Sequence, residues 1–557
     1  MRSIHGRTGW SGLATILGAA AAAVLQFLTL PAFAGFELPP GERITNLPPI
    51  PRAIPQKEAY EIYDPVIGRN FDIKNLWMRA DLRVRPEMRN NTCFGLAINA
   101  NGSCNTFGTR GAAGGVGANG GNKGNDFFVQ QWMRLGIGYD LSPDVNFYVE
   151  IIDSATWGGN GTATNAGNGG DPLNHNCSAT ATGACRLGVR AAYMLVRNLA
   201  DVQGLSMKVG RQYVIFGNHS LFGHFDWANT GYSHDGVMFA YQTKTWDSYF
   251  GWFRNSESDL NQAAAVGSGA PNIAGGATNR QDANRDADVF IFYNQLKMVP
   301  GMVIEPFYVY YKNNYASADN AAQGGGTAKH SNQTRHMVGN RIEVRKGGFD
   351  FSNETAWQFG QMGQAGACAG EQKCLHINAW ATRNWIGYTA YDTMWKPRLA
   401  FNLDYASGDS RNATCAAAGG AACKTANTFE NFFPTNHIHM GYMDIQAWKN
   451  MLSPSVNFQA RPSARDHIEL WYTNLNLANS KDCWYRASQG CYVFSNANNT
   501  KTHIGDEIDV TWTRMFADGK VAFQATYGTI FTGGYLTSTL NSQVNQHWGY
   551  VQLWMNF

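Results

Sequence analysis

The stretch LWMRADLRVR at 76–85 puts Arg79, Asp81, Arg83 and Arg85 on one parity and Leu76, Met78, Ala80, Leu82 and Val84 on the other. Side chains of an extended chain alternate between its two faces. The three guanidinium groups therefore stack along one wall, each a planar fork suited to carboxylate or phosphate. Other alternating strips carry Arg134, Arg190, Arg211, Arg341 and Arg345 on the parity assigned to the same interior. Glu150, Glu354, Asp404, Glu507 and Asp509 share it. This set offers reversible anion binding within a partly compensating acidic field. It does not offer bond making.

Two segments concentrate histidine: FGNHSLFGHFDWANTGYSHDG at 216–236 and FPTNHIHMGYMD at 433–444. An H-x-H pair can hold a metal, but loop histidines more often make ordinary hydrogen bonds, and neither a metal nor a cofactor is expected. The chain has no G-x-S-x-G elbow and no P-loop, and NRQDANRDAD lacks the order of an EF-hand loop. No enzyme activity is expected. Instead, Phe222, Phe225 and Trp227, with Phe429, Phe432, Phe433 and Met440, are more apolar than solvated loops require. Residues 217–234 and 425–450 are therefore expected to fold inward, with His224, Asp226, Trp227, Phe433, His437 and His439 as constriction candidates.

The ten cysteines form five local pairs, Cys93/Cys104, Cys177/Cys185, Cys368/Cys374, Cys415/Cys423 and Cys483/Cys491. None has the spacing of a zinc or haem site. In an exported chain such pairs read as disulfides. Each would remove roughly 2–3 kcal/mol of unfolded-state entropy in the chain-entropy model.

The elements that position these residues are short alternating strips such as VQQWMRLGIGYDL, RLAFNLDYASGD, HIELWYTNLN and the final WGYVQLWMNF. Tight Gly/Pro/Asp connectors (142–144, 200–204, 299–301, 346–348, 517–519) take turns with long Gly/Asn/Ala/Ser-rich ones. If the region near 438–461 supplies one crossing, nine long and eight short connectors join eighteen strands. That alternation is expected of an all-β transmembrane antiparallel barrel with short periplasmic turns and long external loops. An even count puts both termini in the periplasm. Arg2, His5 and Arg7 ahead of LATILGAAAAAVLQFLTL and AFAG read as a signal peptide over 1–34. A Pro-rich leader follows over 35–72 and the barrel over 73–557. No later run approaches the ~18 apolar residues of a membrane helix. A net charge of +3 without a basic tract gives no reason to expect nucleic acid.

Three stretches, VGRQYVIFGNHSLFGHFDWANTGYSHDGVMFAY, LDYASGD leading to FENFFPTNHIHMGYMDIQAWKN, and HIGDEIDVTWTRMF, resemble the outer-membrane alginate export family over about residues 70 to 557. The resemblance implies a monomeric eighteen-stranded barrel in outer-membrane lipid. It also implies an arginine-rich lumen, to which Arg79, Arg83, Arg85, Arg134, Arg190 and Arg211 would contribute, and inward-folding loops that gate a polyuronate. The expectation is a porin-like channel for polar or anionic solutes, with an anionic exopolysaccharide such as alginate among them. The alternative is a barrel scaffold whose leader docks a periplasmic partner, a cytochrome or an export complex.

Overall fold

The computed structural model describes residues 75–92, 94, 125–157, 187–228, 231–256, 287–313, 333–362, 375–410, 424–487, 491–493, 498–540 and 544–556. The expected signal peptide and Pro-rich leader lie outside them, and so do Cys93, Cys104, Cys177, Cys185, Cys368, Cys374, Cys415 and Cys423. The side chain of Cys491 is also outside, and with it the five pairings; Cys483 is fully buried.

The wall begins with β1 (Leu76–Asn90), β2 (Asp126–Asp140), β3 (Val145–Thr156), β4 (Leu187–Val196), β5 (Leu205–Gln212) and β6 (His234–Gln242). It continues through β7 (Trp246–Ser256), β8 (Ala287–Leu296), β9 (Met302–Asn313), β10 (Gln333–Lys346), β11 (Phe349–Met362) and β12 (Leu375–Thr389). It is completed by β13 (Arg398–Ala406), β14 (Met451–Ala460), β15 (Asp466–Leu477), β16 (His503–Phe516), β17 (Val521–Thr532) and β18 (Gln546–Asn556). Consecutive strands pair antiparallel, and β1 pairs with β18 from Asp81↔Asn556 to Asn90↔His547, which closes an eighteen-stranded barrel. Closure removes the sheet edges, so every wall strand finds ladder partners on both sides.

Alternation decides which side chains face in. On β13, Leu399, Phe401 and Leu403 are 45–54% exposed on the outer face, while Arg398, Ala400, Asn402 and Asp404 are buried. On β1, Met78 is 65% exposed, while Asp81, Arg83 and Arg85 are buried. Apolar side chains thus form the outer band and polar ones fill the interior, the pattern of a barrel solvated by lipid. Long connectors lie at one end of the barrel and short ones at the other. The crossing sought near 438–461 is confined to β14, so the preceding long connector extends to Asn450. Within long connectors, Thr425–Ala426 adds in parallel to β12, a small hairpin joins Trp484–Tyr485 to Cys491–Val493, and Gly534–Leu540 is helical.

Candidate functional site

The interior is occupied by two connectors, one between β5 and β6 (described over 213–228 and 231–233) and residues 424–450 before β14. They are tied together by main-chain hydrogen bonds from Gly223 to Phe433 (2.8 Å), Phe433 to Leu221 (3.0 Å) and Thr435 to His219 (2.9 Å). His439 Nε2 donates to the Asn218 carbonyl at 2.7 Å. Phe216, Leu221, Phe222, Phe429, Phe432, Met440 and Trp448 join one apolar cluster with wall residues of β7–β9, including Phe253, Val289, Ile291, Phe307 and Val309. These loops carry their own core, and burial of this apolar surface holds them inside.

One side of this plug meets arginines. Arg83 donates to the main-chain carbonyls of Asp226 (2.5 Å) and Trp227 (3.1 Å), and Arg85 to that of Trp227 (2.9 Å). The Arg85 guanidinium lies 3.5 Å from the centre of the Trp227 ring, a cation–π contact. The other face of Trp227 stacks on His437 at 3.7 Å and 7°. The Asp226 carboxylate accepts from Arg134 and Arg190, each at 3.0 Å. Burial alone would raise its carboxyl, but Arg134, His224 and Arg190 outweigh burial and hold it well below the usual carboxylate range. Arg83, Arg85, Arg134 and Arg190 are at most 1% exposed.

Arg190 reaches this cluster through a β-bulge. The β3–β4 register slips between Glu150 and Ile151, and Ala191 opposes Glu150 while Val189 opposes Ile151. The bulged Arg190 also donates to the His224 carbonyl (2.7 Å) and the Ser233 hydroxyl (2.8 Å). Glu150 accepts from Tyr148 at 2.6 Å and from Tyr213 at the start of the plug.

A second part of the plug meets acids on strands three to four removed from β1 round the wall. Asp509 accepts from the Tyr442 amide at 3.1 Å and Glu507 from the Met443 amide at 2.9 Å, while the Tyr442 hydroxyl donates to Glu469. Gly441 makes this approach possible: its φ is +85°, and a Cβ there would collide with the Glu507 carboxylate. His437 Nδ1 lies 2.9 Å from Asp444. Ser220 donates to Glu354. The loops therefore hydrogen-bond both to arginines on β1, β2 and β4, which also have the carboxylates Asp81, Glu87 and Glu150 beside them, and to carboxylates on β15 and β16.

The remaining candidates fall in local networks. Asp81 links Arg79 (2.7 Å) and Arg134 (3.5 Å). Arg341 pairs with Glu305 and Glu343, and Arg345 lies 3.2 Å from Glu343. Asp404 pairs with Arg383 at 2.9 Å. Arg211 is a correction. On β5 the buried Lys208 and Gln212 face in, whereas Arg211 shares the parity of the exposed Val209 and pairs on the outer face with Asp235 at 2.8 Å. It does not belong to the lumen.

Six interior residues, Glu87, Glu305, Glu343, Arg335, Arg383 and Glu469, were not singled out from sequence. Glu87 continues the parity of Arg85 beyond Pro86 and bridges Arg85 (3.3 Å) and Arg89 (2.5 Å). Glu343 sits between Arg341 and Arg345 on one parity, a readable signal. Glu305 shares its face with Val303, Phe307 and Val309, which conceals it.

A profile of the alginate export family matches residues 78–550. No curated protein matches the chain. Among solved structures, OccK9 (OpdG) of Pseudomonas aeruginosa is similar at 10% identity and TM-score 0.49, covering 87% of this chain and 99% of that one. OpdQ of the same organism is similar at 10% identity and TM-score 0.47, with 87% and 98% covered. OccK11 (OpdR) reaches 10% identity and TM-score 0.44, with 86% and 96% covered.

Proposed function

We infer that this chain, which belongs to the alginate export family, is an outer-membrane channel closed at rest by its own loops and passing anionic solutes, an anionic exopolysaccharide such as alginate among them. The observation that carries the reading is Asp226, a carboxylate of the protein itself seated between Arg134 and Arg190. A permeating carboxylate presents the same chemistry. When the β5–β6 connector withdraws, Arg79, Arg83, Arg85, Arg134 and Arg190 become a track of exchangeable anion sites, and the acids on β15 and β16 repel the solute toward it. Weak to moderate anion preference follows. Constriction falls to His224, Asp226, Trp227, Phe433, His437 and His439.

The end bearing the short connectors, and with it both termini of the barrel, is assigned to the periplasm. The signal peptide is taken as removed after Ala34, and the leader over 35–72 as a spacer. The five cysteine pairs are assigned to external loops as local staples. For Cys483/Cys491, the pairing of Tyr485 with Cys491 in the small hairpin brings the two backbone segments together.

Oligouronates of increasing length, added to one side of a planar bilayer holding open channels, test the substrate class. Length-dependent block at low salt supports anionic polysaccharide passage. Free passage of small anions and neutral sugars with no block by oligouronate would leave a general anion channel instead.

A further inference from the structure

We propose that the connector between β15 and β16 is a strap that keeps residues 424–450 in the lumen after the β5–β6 connector withdraws, so that the channel opens in two stages. This rests on the reading of the plug as a gate. Asp226 and Trp227 fasten the β5–β6 connector to wall arginines. Residues 424–450 touch the acids of β15 and β16, and they are also bound along their length by residues 479–487 of the β15–β16 connector.

The strap bonds chiefly through its main chain. In an extended segment alternate carbonyls point to the same side. The Cys483 carbonyl accepts from the Asn450 side-chain amide at 2.9 Å, the Tyr485 carbonyl from the Ala447 amide at 3.0 Å, and the Ala487 carbonyl from the Asn436 side chain. Between them the Trp484 indole donates to the Ile445 carbonyl at 3.1 Å. Asn450 also donates to the Asn479 carbonyl at 3.1 Å and accepts from the Asn479 amide at 2.8 Å. The Asp482 carboxylate accepts from the Thr428 hydroxyl at 2.6 Å and from the Asp409 amide at 2.7 Å. Thr428, Asn436, Ile445, Ala447 and Asn450 are thus all held by one segment.

The strap has its own anchorage. Asp482, Cys483, Trp484 and Tyr485 are at most 1% exposed, so water does not compete for these bonds. Trp484 packs on Phe94 and Tyr535 of two further long connectors, with ring centres 5.7 and 6.2 Å apart. The Trp484–Tyr485 segment also pairs with Cys491–Val493. None of the bonds named here involves Asp226 or an arginine of β1, β2 or β4. Release at Asp226 therefore frees the β5–β6 connector and leaves 424–450 strapped. The lumen is then open in part, and its full width requires the strap to yield as well.

The experiment is single-channel recording of the full-length chain in planar bilayers, read as conductance levels. Asn450 has a φ of +45°, which glycine adopts freely. Asn450→Gly therefore removes three hydrogen bonds to the strap without straining the turn. Asp226→Asn alone is expected to dwell at an intermediate level, below that of a chain lacking 425–436. Adding Asn450→Gly should raise the time spent at the higher level roughly 10- to 100-fold. Heat-modifiable gel mobility reports whether the barrel is folded. If the glycine variant does not fold, Asp482→Ala replaces it with the same expected direction. An Asp226→Asn channel that already opens to the level of the deletion overturns the strap and leaves the gate standing, and so does a folded double variant confined to the intermediate level. An Asp226→Asn channel with wild-type open probability removes the gate, and the strap with it.

Discussion

Replacing Asp226 by Asn keeps the size of the side chain and removes its charge. Asp226 accepts from Arg134 and Arg190 at 3.0 Å each and is 7% exposed, so both partners remain buried when the charge is gone. Breaking a buried ion pair from one side costs about 3–5 kcal/mol. Here the loss is smaller, because Arg134 keeps Asp81 at 3.5 Å and Glu150 at 3.8 Å, and Arg190 keeps the His224 carbonyl. Hydrogen bonds to charged groups are worth about 1.5–3 kcal/mol, and a net weakening of the closed plug by about 2–3 kcal/mol follows. That multiplies the open-to-closed ratio by roughly 30 to 150. The strand ladders are untouched, so the barrel itself should keep its heat-modifiable mobility. Single-channel recording in planar bilayers measures open probability directly. A folded Asp226→Asn variant with wild-type open probability would refute the claim that this carboxylate latches the loop.

The closed plug should also loosen on mild acidification. Burial holds His219, beside His224, Asp226 and Arg341, down to about 3, whereas a released loop regains the ordinary value near 6.5. Between those values the released loop binds a proton that the closed one refuses, so closure weakens as pH falls below about 6.5 and levels off near 3. Asp226 supports closure above about pH 4 and loses its charge only below that. Open probability should therefore rise on the order of tenfold from pH 7 to pH 5, and His219→Gln/His224→Gln should flatten the profile; an equal rise in that variant would place the sensor elsewhere. Deleting residues 425–436 removes Phe429, Phe432 and Phe433 from the apolar cluster. Its single-channel conductance should exceed that of the wild type, and an unchanged conductance would remove this loop from the constriction.

How much of this was legible depended on whether the information is periodic. Period two in LWMRADLRVR separates Met78 from Arg79 without ambiguity, and the order of short and long connectors yields the strand count because each hairpin carries its own turn chemistry. The same periodicity was available for Arg211, which shares the parity of Met207 and Val209, the side of the strand that meets lipid. Arg190 is different. Its own parity points inward, but the bulge beside it hands the interior to Ala191, Tyr193 and Leu195, a shift that leaves no pattern in the residues themselves. Glu87 was hidden by Pro86, which reads as the end of a strand but is accommodated within β1. The inward folding of the loops could be argued from Phe222, Phe225, Trp227 and Phe433. Their mutual pairing could not, since Phe222 and Phe433 are joined by a parallel bridge between two connectors far apart in the sequence. Nor does any spacing announce that Asp226 meets Arg134 and Arg190 while Gly441 meets Glu507. Those contacts depend on how the plug lies in the closed wall.

The central claim is that an arginine-lined conduit runs behind the plug, and the zero-current potential of open channels across a salt gradient tests it most directly. Wild-type channels should give the sign of anion preference, and Arg79→Gln/Arg83→Gln/Arg85→Gln should move the potential toward cation preference in a barrel that remains folded, because interior substitutions avoid the lipid penalty. A cation-selective wild type, or a triple variant whose potential does not move, would contradict the account.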